Sequence, residues 1–341
     1  MRKRMTMRDL MVRKADRSSL ASEPVSVSKG QPITFDEFIG QKAAIAQLSL
    51  MATAAKARHE PIDHMLMIGP GGLGKSTLAY MIAHEMGAPL IATTATTLSA
   101  NALGKILSTL KPFTALLIDE FHALSKGAVL TLYGAMQDGL VDIDTPTGPQ
   151  RRKVAPFTLI GATTNPGDLT ESMKDRFGFT VELTYYDSDD MASIALGSAK
   201  GLELDLDTSA AIDIADRSRG IPRVMNQYLR RIRDFAQVKG LPVITEAVAD
   251  NAFAFFGVDS LGLTQLDRSY LIELVKHFRG GPVGGENLAV SLGVDYKTVA
   301  NDIEPYLMRL GLVSRANRGR VSSEDARDYV RELTGEIEDM Q

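Results

Sequence analysis

The chain has no cysteine and no tryptophan in 341 residues, only five histidines, and an aromatic content of 6%. Without cysteine there is no disulfide, no thiolate nucleophile and no cysteine-ligated metal, a composition that suits a reducing compartment. Five scattered histidines make no ligand spacing, which argues against structural zinc. No apolar run approaches the roughly 18 residues that a membrane helix needs. The basic N-terminus, MRKRMTMRDLMVRKADR, lacks the uninterrupted apolar stretch of a secretory signal. A cytoplasmic protein without membrane contact is expected. Positive charge is also in short supply: 38 Lys/Arg against 42 Asp/Glu give a net of −4. That argues against a protein that coats nucleic acid, but says little about one that grips it at a small local patch.

What is present is ordinary globular material. Hydrophobic residues make up 44% and charged residues 23%, as in soluble folded proteins, and the length fits two or three domains. A chain of this size buries most of the surface its unfolded form exposes, so it needs no staple. Residues 1–30 hold eight Lys/Arg and three Asp/Glu, a net of +5, which leaves −9 for the rest. Residues 1–32 are therefore read as a basic arm and a Ser/Pro/Gly-rich linker. From 33 to 184 apolar runs alternate with helical patterns, the clearest strands being His64–Ile68, Thr114–Ile118 and Phe157–Gly161. Such alternation predicts an α/β core, a parallel sheet with helices on both faces. Residues 185–258 read as helical throughout, broken at Gly220-Ile-Pro222 and Gly240-Leu-Pro242. Residues 259–341 read as a helix (Gln265–Phe278), a short helix (Glu286–Leu292), a longer helix (Tyr296–Leu310) and a hairpin, the pattern of a winged helix.

Gly69-Pro-Gly-Gly-Leu-Gly-Lys-Ser76 fits G-x-x-x-x-G-K-[ST], follows the apolar strand HMLMI and opens a helix with an apolar stripe. Gly69, Gly71, Gly72 and Gly74 let backbone N–H groups wrap a phosphate chain, and the helix N-terminus, with Thr77, adds its positive end. Lys75 is placed for the β/γ-phosphates of ATP and Ser76 for Mg²⁺. Leu116-Leu-Ile-Asp-Glu120 supplies the matching acids, Asp119 to hold Mg²⁺ through water and Glu120 to polarise an attacking water. The strand Phe157–Asn165 ends in Thr163 and Thr164, which either sense a γ-phosphate or simply cap a strand end. Arg176 in Asp175-Arg-Phe-Gly178 is either an ordinary surface cation or, at a subunit edge, an arginine finger worth roughly 10³–10⁵ in rate. Near the C-terminus, Leu312-Val-Ser-Arg-Ala-Asn-Arg-Gly-Arg320 puts three arginines in six residues without an acid. Gly319 permits a tight turn from which the arginines project the same way.

The stretches FDEFIGQ (35–41), IDHMLMIGPGGLGKSTLA (62–79), LLIDEFHALS (116–125), FTLIGATT (157–164), DRFG (175–178), RSRGIPRVMNQYLRRIRDFAQVKG (217–240), GGPVGGENLA (280–289) and EPYLMRLGLVSRANRGR (304–320) together resemble the RuvB family, in order from about Thr34 to Arg320. The resemblance implies an AAA+ P-loop core, a helical lid and a C-terminal winged helix. It also implies an ATP-dependent motor of Holliday-junction branch migration, assembled as a homohexamer on DNA. Lys75 and Ser76 become the phosphate-loop pair, Asp119 and Glu120 the metal and catalytic acids, and Thr164 (or Thr163) the first sensor. Arg176 becomes a finger acting on a neighbour, Arg223 the second sensor in the lid, and Tyr186 a residue near the nucleotide at the lid hinge. Arg315 and Arg320 match DNA-contacting arginines, with Arg318 between them. Arg217, Arg230, Arg231 and Arg233 are expected to be solvated helix charges.

Departures from the family pattern are equally specific. Gln31 replaces an arginine expected near the adenine, Lys174 replaces an arginine and so loses the planar fork, and Ala123 replaces the arginine after His122. The segment Asp142–Pro156 corresponds to a longer family hairpin whose exposed apolar residues dock the partner RuvA. Here it is shorter, with a tip expected to be polar and basic (Gln150, Arg151, Arg152, Lys153), so docking of a RuvA-like partner is not expected. The hairpin touches DNA, touches a different loader, or is a solvated turn. Beside the motor stands a second class of function, an ATP-switched DNA-binding adaptor or loader for a recombinase, transposase or helicase. A small-molecule P-loop kinase leaves the lid and winged helix unexplained.

Overall fold

Apolar runs without alternation become strands covered on both faces, and the strands of the first unit follow that rule. The computed structural model describes residues 34–335, so the basic arm (1–32), including Gln31, lies outside the described residues. The chain divides into two compact units at Thr184/Tyr185. In the first unit the order is α1 (Lys42–Arg58), β1 (Met65–Ile68), α2 (Lys75–Met86), β2 (Leu90–Thr94), α3 (Ala100–Thr109), β3 (Thr114–Asp119), α4 (Lys126–Gln137), β4 (Leu140–Thr145), β5 (Gly148–Lys153), β6 (Phe157–Thr163), α5 (Glu171–Lys174) and β7 (Phe179–Glu182). Five strands pair in the order β2-β3-β6-β1-β7, all parallel. Every residue of β6 is buried, as is β3 up to Ile118. Leu116, Ile118 and Leu159 pack with Leu103, Leu107 and Phe177 in the main core. Ser99 and Ser125 cap α3 and α4 by accepting from Ala102 N and Ala128 N.

The second unit begins with the lid: α6 (Ser188–Gly201), β8 (Asp205–Leu206), α7 (Thr208–Arg217), α8 (Pro222–Lys239), β9 (Val243–Ile244) and α9 (Glu246–Phe256). It is not helical throughout. The two short strands form a parallel bridge, because β-branched Val243 and Ile244 follow the Gly240-Leu-Pro242 break and meet Asp205 and Leu206. The winged helix follows with α10 (Gln265–Ile272), α11 (Gly285–Leu292), α12 (Tyr296–Thr298), α13 (Glu304–Arg309), the hairpin β10 (Val313–Ala316) and β11 (Gly319–Ser322), and α14 (Glu324–Thr334). A π-helical turn, Glu273–His277, extends α10, and another, Val299–Ile303, joins α12 to α13. The expected single helix at 296–310 is thus internally widened. Pro305 has no N–H for the Asn301 carbonyl four residues earlier, so the regular ladder cannot run through it. Tyr270, Leu271, Leu288, Leu307 and Val330 form the core of this part. Among the described residues no helix is long and apolar enough to cross a membrane.

Candidate functional site

Three neighbouring strands end on one edge of the sheet, and each delivers one part of a site. Because β6 lies between β1 and β3, Ile68 is level with Thr163 and Ile118 with Gly161. Beyond such carboxyl ends is where open parallel sheets bind ligands. The glycine loop leaves β1 with Gly69 N–H donating to Thr163 O at 3.2 Å. Gly69 has φ 152°, and a Cβ there would sit 2.6 Å from the Leu183 carbonyl oxygen. Gly72 and Gly74 take φ 84° and 103°, which favours glycine. The buried Lys75 curls across the loop, donating Nζ to Gly69 O (2.7 Å) and Pro70 O (2.9 Å). Gly71 and Ser76 are exposed and Thr77 is half-buried at the start of α2.

These residues fit a nucleotide triphosphate with its cation. The cradle excludes side chains at Gly69, a twelve-residue helix turns its N–H end to the loop, and an ammonium lies within it. Ser76 and Asp119 offer the hard oxygen ligands that Mg²⁺ takes.

The acids occupy the next strand end. Glu120 sits at φ 50°, a backbone region that costs a non-glycine residue about 1–2 kcal/mol. Its backbone N–H donates to Asp119 Oδ1 at 2.9 Å, which fixes the Asp119 carboxylate against the start of the turn. Thr164 Oγ1 donates to Glu120 Oε2 at 3.2 Å. Thr163 is buried, with Oγ1 2.9 Å from His122 Nδ1 and accepting from Asn165 N at 3.1 Å. The two threonines therefore part company: Thr164 touches the acid, and Thr163 holds the strand end and His122. His122 Nδ1 also stands 3.5 Å from Glu120 Oε2, and its Nε2 is 3.4 Å from Asn165 Nδ2. His122, which the sequence pattern alone does not mark as a site residue, thus joins Glu120, Thr163 and Asn165; its place two residues after Glu120 is the signal for it.

Arg176 does not join this group within its own chain. Its guanidinium lies 3.6 Å from the Tyr133 ring centroid, and Nη1 donates to Ser172 O (2.5 Å) and Oγ (2.8 Å). Its Nε is buried without an acceptor. In the second unit, the buried Tyr186 donates its N–H to Gly220 O at 3.1 Å, which fastens the start of the lid to the loop before α8. Arg223, near the N-terminus of the eighteen-residue α8, is exposed and makes no hydrogen bond or ion pair among the described residues. A lone cation at the positive end of a helix dipole is unfavourable by itself and favours an anion nearby. Arg217 corrects the expectation of a solvated charge. It is 8% exposed, pairs with Asp213 (2.9 Å) and Asp250, and stacks on Phe253.

The two hairpins also refine the expectations. In the core hairpin the tip is Thr145–Gly148, with Thr145 Oγ1 donating to Gly148 O (2.7 Å). Arg151, Arg152 and Lys153 lie along β5, not at the tip. Arg151 forks onto Asp142 at 2.9 and 3.1 Å and holds that carboxyl below its ordinary range. In the wing, Arg315 and Arg320 oppose each other across the strands and both turn to Glu304, whereas Arg318 stands exposed at the turn. The three arginines do not project alike.

Three family models match consecutive stretches: the Holliday junction DNA helicase RuvB P-loop domain at residues 31–183, the RuvB AAA lid domain at 186–259 and the RuvB C-terminal winged helix domain at 260–331. The chain belongs to the RuvB family. The RuvB subunit of the Holliday junction branch migration complex from Corynebacterium aurimucosum is 44% identical over 298 residues, which cover 86% of this chain and 82% of that one. Its counterpart from a Parafrankia species is 44% identical over the same share of this chain and 84% of its own. Among solved structures, the Thermotoga maritima RuvB Holliday junction branch migration motor aligns with a TM-score of 0.80 at 36% identity, over 89% of this chain and 99% of its own. The AAA+ core, lid and winged helix of the RuvB fold are thus all present.

Proposed function

We propose that this RuvB-family chain is an ATP-driven DNA motor of the Holliday-junction branch migration type, active as a homohexameric ring. The gathering of a phosphate cradle, an acid pair and a threonine bonded to the second acid at one sheet edge supports it most directly. Lys75 binds the β/γ-phosphates, Ser76 and Asp119 hold Mg²⁺, and Glu120 orients the attacking water. Bound Mg²⁺ supplies neutralisation of the charge that develops on the transferred phosphoryl group. Thr164, through its bond to Glu120, ties the position of the acid to what occupies the γ-phosphate place. Arg176 serves the site of the adjacent subunit, which accords with its absence from its own acid cluster. Arg223 and Tyr186 belong to the nucleotide's lid side, and Arg315, Arg318 and Arg320 form a wing directed at duplex DNA.

Mutation separates these roles. Lys75→Ala abolishes turnover, whereas Arg176→Ala retains ATP binding and loses turnover by roughly 10³-fold or more, read by steady-state hydrolysis and nucleotide titration. Normal hydrolysis by Arg176→Ala would refute the interface assignment. A second reading, an ATP-switched adaptor, draws on the core hairpin, whose exposed positions include Pro146, Thr147, Arg151 and Lys153 and no large apolar side chain for a RuvA-like partner. Migration of a four-way junction by the purified protein, with and without RuvA, distinguishes motor from adaptor.

A further inference from the structure

The loop between α7 and α8, residues 218–221, is packed by backbone on two sides. Gly220 takes φ 65°, and a Cβ there would sit 2.6 Å from the Tyr186 carbonyl oxygen at the start of the lid. Gly262 takes φ 71°, and its Cβ would come 2.5 Å from the Arg217 carbonyl oxygen. Approaches this close need glycine. The loop is thereby fixed both to the first residues of the lid and to the segment that enters the winged helix. Arg219, half-buried at φ 60°, adds side-chain bonds in the same direction. Its Nη2 donates to Gly262 O at 2.8 Å and to Asp267 Oδ2 at 2.6 Å. Asp267 is buried and also caps α10, accepting from Thr264 N at 2.7 Å.

Arg309 closes this arrangement from the winged-helix side. It ends α13, four residues before the wing strand β10 starts at Val313. Its guanidinium lies 3.7 Å from the Tyr185 ring centroid and 5.1 Å from that of Tyr306, and Nη2 donates to the Arg219 carbonyl oxygen. Tyr306 also receives Arg219 over its ring, at 4.5 Å, and donates its hydroxyl to Leu261 O at 2.6 Å. Two guanidiniums therefore share one phenol ring. Asp267 pairs with Arg219, and among the described residues no carboxylate pairs with Arg309. Like charges this close repel, so the rings and the carbonyl, not an ion pair, define where Arg309 sits.

We propose that Arg309 is a positioning residue for the motor: it locks the wing-bearing helix α13 to Tyr185 and to the Arg219 loop, so that a displacement of the lid end carrying Tyr186 and Arg223 is passed to the winged helix without slack. This rests on Arg223 standing on the nucleotide side and on the winged helix contacting DNA. Arg219 belongs to the fold itself, because its loss would leave buried Asp267 without its cation. Arg309 is different: its removal orphans no buried acid, so its part in coupling is separable from stability.

The test uses the full-length protein, a non-hydrolysable ATP analogue and a linear duplex. Duplex affinity is measured by anisotropy with and without the analogue, and analogue affinity with and without duplex. Linkage makes the two factors equal, and such factors are typically about 5–150-fold. Arg309→Ala should keep the urea midpoint and each affinity measured alone within about twofold, yet reduce the shared factor by about threefold or more. Basal hydrolysis should be unchanged and junction migration slower. Tyr185→Leu should reproduce the loss, and the double variant should lose no more than either single one, because the two side chains make one contact. An unaltered factor in Arg309→Ala overturns the proposal while leaving the motor reading in place, and so do additive losses in the double variant. Weaker duplex binding by Arg309→Ala without analogue would make Arg309 a DNA contact and also overturns it. A wild-type factor of one removes the nucleotide-to-DNA linkage that the motor reading requires, and this proposal with it. Should Arg309→Ala shift the urea midpoint, Arg309→Gln decides by the same factor, since it keeps a donor for the Arg219 carbonyl but brings no charge to the rings.

Discussion

Two hairpins in this chain carry three basic side chains each, and they spend them in opposite ways. On the core hairpin, Arg151 and its partner Asp142 are 68% and 64% exposed, and Arg152 only reaches Gln150 on its own strand. On the wing, two of three arginines converge on an acid with no exposure at all. Exposed pairs are screened and contribute little, whereas a buried acid that loses its cation becomes a charge without compensation. The same count of basic side chains thus describes a solvated strand in one place and an organised face in the other. The buried counter-ion, not the density of charge, tells them apart.

The contrast can be broken at several points. Arg320→Ala should have the largest effect, destabilising the winged helix by about 3–5 kcal/mol because Glu304 loses its principal partner; urea unfolding measures it, and an unaltered midpoint would remove the distinction between the hairpins. Arg318→Ala should leave the melting temperature unchanged and reduce the salt slope of duplex binding by about 0.9 per engaged wing. A lowered melting temperature would make that turn structural. Replacing Arg151 and Arg152 together by Ala should change neither stability nor salt slope, and a flatter slope would place the core hairpin on DNA as well. The smallest effect concerns pH. Arg151 depresses Asp142 below its ordinary 3.8, so the pair's contribution is present above that value and fades only as pH falls through the lower folded value. Between about pH 5 and 8 the melting difference between wild type and Asp142→Asn should therefore stay constant; a gap that varies in that range would show another group at work.

Much of this architecture was legible because its signals are local. The run HMLMI before a glycine loop, the acids closing LLIDE and the buried FTLIGAT each follow from neighbouring residues, and they became β1, β3 and β6. What escaped depends on residues far apart in sequence. Arg217 looked like a surface cation because its partner Asp250 and the ring of Phe253 come from a different helix. Likewise, nothing near Glu304 in sequence announces that Tyr270 and two hairpin arginines will surround it. The basic stretch of the core hairpin lies past the expected tip, because the turn forms at Pro146 and Thr147, before the charged run. Thr163 and Thr164 could be told apart only by which hydroxyl faces inward, a matter of strand parity fixed by the register with β1.

Arg176 carries a last consequence. Its seat on Tyr133 and Ser172 leaves one N–H enclosed with nothing to accept it. A phosphate oxygen is a stronger acceptor than any the side chain meets at home. Under the proposed finger role, the side chain trades this half-satisfied seat for that acceptor on an adjacent copy.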